Sequence, residues 1–392
     1  MLSGELNALT NDMFLPLYEA HGRIESGVRD FLDASSPGVC ASLGCRLNGN
    51  RDEYNTARRI GGKAAALARI AAALPGRVPQ AFALSCDAYH MFLDSSGLEP
   101  KIHSLLKDLD VIADRDIFQS RTQEVRTLIE QAPVPAGVAE EIRSLVKASG
   151  LQGSWAVRSS GVGEDGRRTF AGQFDSLLNV AEQDLPNAWR SVIAGRFSDR
   201  AVYYRLACDI SEADSPMAVL FMPMVPARCS GVLYTQDPRG GGDRMLITSV
   251  WGLAADLMAG RAASDSFLVS RGEPGRIQEQ AIADKQNILL PGANRGTERV
   301  SAAEQDRLSP SLSPEQIAEL VALGTEIELL FGTPQDIEWV MDMQGKIWTV
   351  QSRRLLVRDM LERAGGRPPQ PEDMVLQCGR AAFPGWGEGP VF

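Results

Sequence analysis

Histidine is nearly absent from this chain: His21, His90 and His103 are the only three, and none has acidic or cysteine neighbours in a ligand-like spacing. That argues against a histidine metal centre and leaves each as a core or surface side chain. The six cysteines (Cys40, Cys45, Cys86, Cys208, Cys229 and Cys378) never pair as C-x-x-C, and only Cys40 and Cys45 lie close together. Reduced thiols are expected, and structural zinc is not. No apolar run approaches the roughly 18 residues of a membrane-spanning helix, and Met1 to Ala20 carries acids with no signal-like hydrophobic stretch. Positive charge is short as well. Forty Lys and Arg against 50 Asp and Glu leave a net charge of -10, which disfavours a broad grip on nucleic acid or an anionic membrane. The expectation is a cytoplasmic protein with no nucleic-acid or membrane partner, in which any anion sits in a local basic pocket. At 392 residues and 44% hydrophobic content, two or three domains are expected.

What the chain does have is concentrated near its C-terminal end. Ile337 to Met341 and Lys346 to Val350 alternate apolar and polar residues around Asp342-Met343-Gln344-Gly345, the pattern of a hairpin with a tight turn. With Asp342 opposite Gly345, Glu338 falls opposite Thr349 and Asp336 opposite Gln351. Asp336, Glu338 and Gln351 then share one face, while Ile337, Trp339, Met341, Trp348 and Val350 pack the other. Carboxylates gathered without a basic partner repel one another unless a hard cation such as Mg2+ neutralises them. The same pattern also suits the solvated outer face of an edge hairpin, and one residue of difference in the loop would reset the register.

The remaining chain divides by its punctuation. Residues 1–57 read as a partly helical extension (Leu6 to Leu32) that becomes loop-like and carries no recognisable chemistry. Leu67, Ile70, Ala71 and Leu74 follow helical spacing, and Pro75-Gly76 stops the run, so Gly61-Gly62-Lys63 is placed at a helix start. More helical text runs through Ala88 to Leu93, Ile102 to Leu109, Ser120 to Ile129 and Val138 to Lys147. Strand-like text follows at Trp155 to Arg158, Ser176 to Val180, Ala218 to Met222, Gly231 to Tyr234 and Met245 to Val250. Ser313-Pro314-Glu315-Gln316 writes a capped helix start, with Ile317, Leu320, Val321, Ile327 and Leu330 as its buried stripe.

Two stretches could meet phosphate. Val157-Arg158-Ser159-Ser160-Gly161-Val162-Gly163-Glu164-Asp165-Gly166 puts a cation and two hydroxyls at the end of a strand, then a loop with three glycines. Such glycines let backbone N–H groups converge on an anion, and a guanidinium forks onto two phosphate oxygens; a surface turn after a strand is written the same way. Lys63 is a second candidate cation, although G-G-K lacks the spacer and hydroxyl of a P-loop and equally suits a solvated lysine.

Taken in order, Gly61-Gly62-Lys63, Val157-Arg158-Ser159-Ser160, Glu164-Asp165, Phe170-Ala171-Gly172-Gln173, Asp199 to Arg205, Ser230 to Pro238, Trp251-Gly252-Leu253, and Asp336-Ile337-Glu338 with Gln351-Ser352-Arg353 resemble the nucleotide-binding domain of the phosphoenolpyruvate synthase and pyruvate phosphate dikinase family. The resemblance covers roughly residues 58–356. It implies an α+β ATP-grasp fold, with two subdomains around a nucleotide cleft (58–215, carrying the phosphate lid loop, and 216–356, carrying the metal clamp) after the N-terminal extension 1–57. A linker at 357–378 and the opening of a swivelling phosphohistidine domain at 379–392 would follow. ATP and Mg2+ are the implied cofactors. Lys63, Arg158 and Arg353 would be catalytic; Lys63, Arg158, Ser159, Gly161, Met222, Met224, Val225, Asp336, Glu338 and Gln351 would bind the nucleotide; and Asp336, Glu338 and Gln351 would hold the metal. The implied activity is a phosphotransferase that passes phosphate from ATP to a histidine on a swivelling domain outside this chain, and from there to an acceptor such as pyruvate on a further domain. The chain thus reads as a piece of a longer protein, and homodimerisation through the full-length form is left open. Two departures stand out. Met222 stands where the family has glutamine, and Gly252-Leu253-Ala254-Ala255 replaces Gly-Leu-Gly-Glu, removing an acceptor from the ribose side that Asp256 or Asp243 would have to replace. A dikinase-like enzyme with a phenol or antibiotic hydroxyl as acceptor, or a nucleotide sensor without transfer, are the alternatives.

Overall fold

A computed structural model describes residues 43–47, 57–107, 109, 114–162, 176–207, 210, 216–239, 242–273, 275–293 and 295–355. The chain divides into Met1–Leu43 and Gly44–Phe392, and the second unit holds every element below. Its first lobe is built from β1 (Gly44–Arg46), α1 (Ala57–Ala73), β2 (Phe82–Leu84), α2 (Cys86–Ser96), α3 (Glu99–Leu106), α4 (Arg115–Gln131), α5 (Ala136–Ser149), β3 (Trp155–Gly161), β4 (Ser176–Val180), α6 (Leu185–Gly195), α7 (Asp199–Ala207) and β5 (Met217–Pro223). The strands form an antiparallel sheet in the order β1-β2-β5-β3-β4. β3 and β5 are buried along nearly their whole length, as central strands with covered faces must be.

The second lobe contains β6 (Ala227–Tyr234), β7 (Arg244–Trp251), α8 (Ala255–Met258), β8 (Asp265–Ser270), β9 (Ile277–Ala281), β10 (Asn287–Pro291), β11 (Thr297–Ser301), α9 (Glu304–Arg307), α10 (Pro314–Phe331), β12 (Gln335–Asp342) and β13 (Ile347–Arg354). Six of its strands make an antiparallel sheet, β13-β12-β6-β7-β8-β9, while β10 and β11 pair separately. α10 starts as its sequence predicts: Gln316 N–H donates to the Ser313 hydroxyl, and the Gln316 side chain accepts from the Ser313 backbone N–H. Ile317, Leu320, Val321 and Ile327 are buried against the sheet, with Leu330 half-buried.

One apolar core runs through both lobes, and α1 is its bridge. Ile60, Ala64, Leu67 and Ile70 from α1 join Leu220 and Met222 of β5, and Cys229, Leu233, Trp339, Met341 and Ile347 of the second sheet. Burying a large apolar side chain is worth about 1.5–3 kcal/mol, so this shared core holds the lobes at a set angle. Polar ties reinforce it: Thr349 N–H donates to the Arg77 carbonyl (2.7 Å), Arg77 pairs with Glu319 (2.7 Å), and Asn179 Nδ2 donates to the Gly292 carbonyl (2.7 Å).

The architecture is α+β as expected, with two differences of boundary. β1 lies inside the segment 1–57 that the sequence leaves without a role, because Cys45 and Leu47 bury in the core. The division between lobes falls in the link from β5 to β6, not at residue 215, since β5 pairs with β2 and β3. The helical text of the N-terminal extension, the lid from Gly163 through Gln173, and residues 356–392 lie outside the described residues. Among the described residues no helix is long and apolar enough to cross a membrane.

Candidate functional site

The hairpin β12–β13 sets the site through two departures from simple pairing. Gly345, at φ 86°, donates to the Asp342 carbonyl, and Asp342 N–H donates to Lys346, so the loop holds one residue more than the sequence register allows. Met341 therefore opposes Ile347, and Trp339 opposes Thr349. A bulge then leaves Val350 without an opposite residue, after which Glu338 pairs with Gln351 and Asp336 with Arg353. The expected pairs, Glu338 with Thr349 and Asp336 with Gln351, are thus wrong by two residues. Each one-residue slip alone would reverse every side chain; two slips restore the phase. Asp336, Glu338 and Gln351 consequently do share a face, and Arg353 joins them. Trp348 does not pack the core side as expected: it opposes Val340, donates Nε1–H to Asp342 (2.8 Å) and lies under the Lys346 ammonium. Ile347 and Thr349 take its place beside Trp339.

Arg158 reaches this face from the other lobe. Its guanidinium donates to Glu338 Oε2 (2.7 Å), Gln351 Oε1 (2.9 Å) and the Val350 carbonyl exposed at the bulge (3.3 Å). Both charged side chains are only about 15% exposed (15% and 16%). Arg353 pairs with Asp336 Oδ2 (2.6 Å), leaving the buried Asp336 Oδ1 without a hydrogen-bond donor. Burial pushes the Asp336 carboxyl above its usual range, with Arg353 pulling against the shift and Glu338 adding to it. Tyr234, opposite Asp336 on β6, has its phenol raised by burial and then by Asp336. The sequence reading missed Tyr234, although it lies within the quoted Ser230 to Pro238 stretch.

Lys63 Nζ lies 3.4 Å from the Ser159 hydroxyl, directly beside Arg158 in sequence. A helical segment does begin at Gly61-Gly62-Lys63: α1 runs from Ala57 but is two helices joined at Gly61 (φ 74°, ψ 166°), so Lys63 lies in the first turn of the second, and the turn before it, from Ala57, is what the sequence does not show. Gly61 touches the Ser160 backbone so closely that a Cβ there would overlap the Ser160 carbonyl. Gly161 ends β3 opposite Met217. Met222 is 3% exposed within the shared core, whereas Met224 and Val225 are half-buried in the link between the lobes, and Met224 N–H is taken by the Ser154 carbonyl (2.9 Å).

Neither proposed replacement for the missing glutamate is free to serve. Asp256 is held by Arg299 (2.6 and 2.9 Å) and Arg261 (2.8 and 3.1 Å), and the Arg299 hydrogen bond leads in lowering its carboxyl to about 2. Asp243 stands just before β7, at the opposite end of that strand from Gly252. At about 3.3 Å per residue, an eight-residue strand separates them by some 25 Å.

Among the described residues no group of three or more His, Cys, Asp or Glu is gathered for a metal. Two carboxylates and an amide do converge, and one of their buried oxygens lacks a donor. That donor set suits Mg2+, which takes one or two carboxylates and completes its shell with water and phosphate oxygens. The arrangement as a whole is a cation from one lobe facing an oxygen-rich ribbon of the other, able to hold a polyanion and a hard cation between them.

Comparison with known proteins bears on the family. The family described as "Pyruvate phosphate dikinase, AMP/ATP-binding domain" matches residues 57–366. A probable phosphoenolpyruvate synthase of Archaeoglobus fulgidus is 32% identical over 345 residues, covering 85% of this chain and 44% of that protein. A rifampicin phosphotransferase of Streptomyces sviceus is 33% identical over 306 residues, covering 75% and 34%. A biotin carboxylase of Campylobacter jejuni overlaps in structure with a TM-score of 0.27 at 13% identity, over 63% of this chain and 42% of that one; so small an overlap adds nothing to the argument. The chain spans less than half the length of these curated relatives. With its α+β lobes and the match over most of its length, the chain belongs to the pyruvate phosphate dikinase AMP/ATP-binding domain family.

Proposed function

We propose that this chain is the ATP-binding phosphotransferase module that moves a phosphoryl group from Mg-ATP to a histidine carried on a swivelling domain outside it. The observation that carries the reading is the meeting of Arg158 from one lobe with Glu338 and Gln351 from the other, in a chain of this family. Phosphoryl transfer asks a protein for positioning and charge neutralisation more than for covalent chemistry. Arg158 and Lys63 would pair with phosphate oxygens, the Arg158 guanidinium exchanging its carboxylate partner for phosphate. Asp336, Glu338 and Gln351 would hold Mg2+, which supplies further neutralisation of the polyphosphate. Arg353, anchored by Asp336, would steady the transferred group. Ser159 and the Gly161 backbone would line the phosphate end, and Met224 and Val225, between the lobes, would meet the base, with Met222 behind them in the core.

The test is titration calorimetry with Mg-ATP, followed by incubation with a relative's phosphohistidine domain supplied in trans. Binding together with AMP release and an acid-labile phosphohistidine is expected, one phosphoryl group of ATP staying on the histidine and the other passing to water or inorganic phosphate, recovered as phosphate or pyrophosphate. No Mg-ATP binding ends the reading, and binding without AMP release replaces it with a nucleotide sensor. The similarity to a rifampicin phosphotransferase favours a second reading of the final step only, in which an antibiotic hydroxyl replaces pyruvate as acceptor. The two are separated when each acceptor is offered to the chain together with a relative's phosphohistidine and acceptor domains and the phosphorylated product is identified by mass spectrometry.

A further inference from the structure

The break in α1 is closed by a residue from elsewhere in the chain. At Gly61 the backbone leaves the helix, so the N–H groups just after the break and the carbonyl just before it lose their intrahelical partners. Ser160, on β3 and fully buried, satisfies one on each side. Its hydroxyl donates to the Ile60 carbonyl (2.8 Å) and accepts from Ala64 N–H (3.0 Å). This is the work of an N-cap, done by a strand about a hundred residues away in sequence. The closeness needs glycine at position 61, both for its φ of 74° and because any Cβ would overlap Ser160.

The consequence falls on Lys63, one residue before the capped Ala64. The strand that supplies the cap also carries Ser159, which meets Lys63 Nζ, and Arg158, which meets Glu338 and Gln351. We propose that Ser160 is a positioning residue for phosphate binding: by capping the second segment of α1 it sets the Lys63 ammonium in register with Arg158. It touches no nucleotide in this scheme and acts through Lys63. The proposal rests on the reading of Lys63 and Arg158 as phosphate ligands.

Calorimetry on the whole chain tests it, with Mg-ATP and adenosine as probes and four proteins: wild type, Ser160→Ala, Lys63→Met and the double variant. Loss of a buried cap should weaken Mg-ATP binding about tenfold in Ser160→Ala, leave adenosine within about twofold, and have little further effect once Lys63 is gone. Hydrogen exchange should quicken at the Ala64 amide. Should Ser160→Ala not fold, Ser160→Cys fills the same space with a weaker hydrogen-bonding group and should show the same selective loss. Equal weakening of ATP and adenosine, or an undiminished effect in the Lys63→Met background, would reduce Ser160 to a structural residue and overturn the proposal. Unchanged Mg-ATP affinity in Ser160→Ala beside normal wild-type binding overturns it alone, whereas no binding by the wild type removes the functional reading as well.

Discussion

Replacing Arg158 with alanine tests the electrostatic logic of the cleft before any catalysis is measured. The guanidinium makes bonds to Glu338, Gln351 and the Val350 carbonyl, and it is a cation that offsets Glu338 across the lobes. Breaking a fully buried pair by removing one partner costs about 3–5 kcal/mol. Here both side chains keep some contact with water (15% and 16% exposed), so about 2–4 kcal/mol is expected, since solvent screens part of the abandoned charge. Urea unfolding followed by circular dichroism measures it. The same variant leaves Asp336 and Glu338 on one face with Arg353 as their near cation. Mg2+ alone should therefore stabilise Arg158→Ala more than the wild type, in which Arg158 already occupies Glu338. For a site with Kd of about 1 mM, about 10 mM Mg2+ adds about 1.4 kcal/mol. Equal Mg2+ stabilisation of both proteins, or a loss in urea stability below about 1 kcal/mol, would refute the idea that Arg158 stands in for the metal charge.

Ser313→Ala removes one arm of the capping box on α10 and should cost about 1 kcal/mol in the same unfolding assay. Asp256→Asn should destabilise the protein at neutral pH by about 1–2 kcal/mol, a range reduced because Arg261 and Arg299 are more than half exposed. Because the folded carboxyl is lowered to about 2 from 3.8, the contribution is complete above the unfolded value. It disappears as pH falls from about 4 to about 2, so the stability curves of wild type and variant should converge there. Burial pushes the thiols of Cys86 and Cys229 up to about 12. Iodoacetamide at pH 8 should leave both unmodified in the native protein and alkylate both in urea, as read by peptide mass spectrometry.

Much of this was legible residue by residue. Strands from Trp155, Ser176, Met217 and Arg244 begin within a residue or so of the alternating text that predicts them, and the Ser313 cap is a purely local signal. Local chemistry also placed the two acids on one face of a strand, since alternation is a property of any strand; Gln351 joins them only because two one-residue slips cancel. The pairing itself was not legible. An extra loop residue and a bulge at Val350 depend on how Trp339, Met341 and Ile347 settle into a core shared with α1 and α10, and no hairpin sequence contains that core. The β1 strand escaped notice for the same reason: three residues form a strand only because β2 offers them an edge.

Residue types and their order determined the family, the candidate cations and the candidate oxygen ligands, because these are written in short contiguous motifs whose chemistry does not depend on the rest of the chain. Tertiary structure decided who meets whom: Arg158 with Glu338 at a separation of 180 residues, Ser160 with the break at Gly61, and Asp256 with two arginines that take it away from the role left by Ala255. Such pairings are settled by the packing of a common core, which sums many weak, non-directional contacts and so cannot be read from any one stretch of sequence.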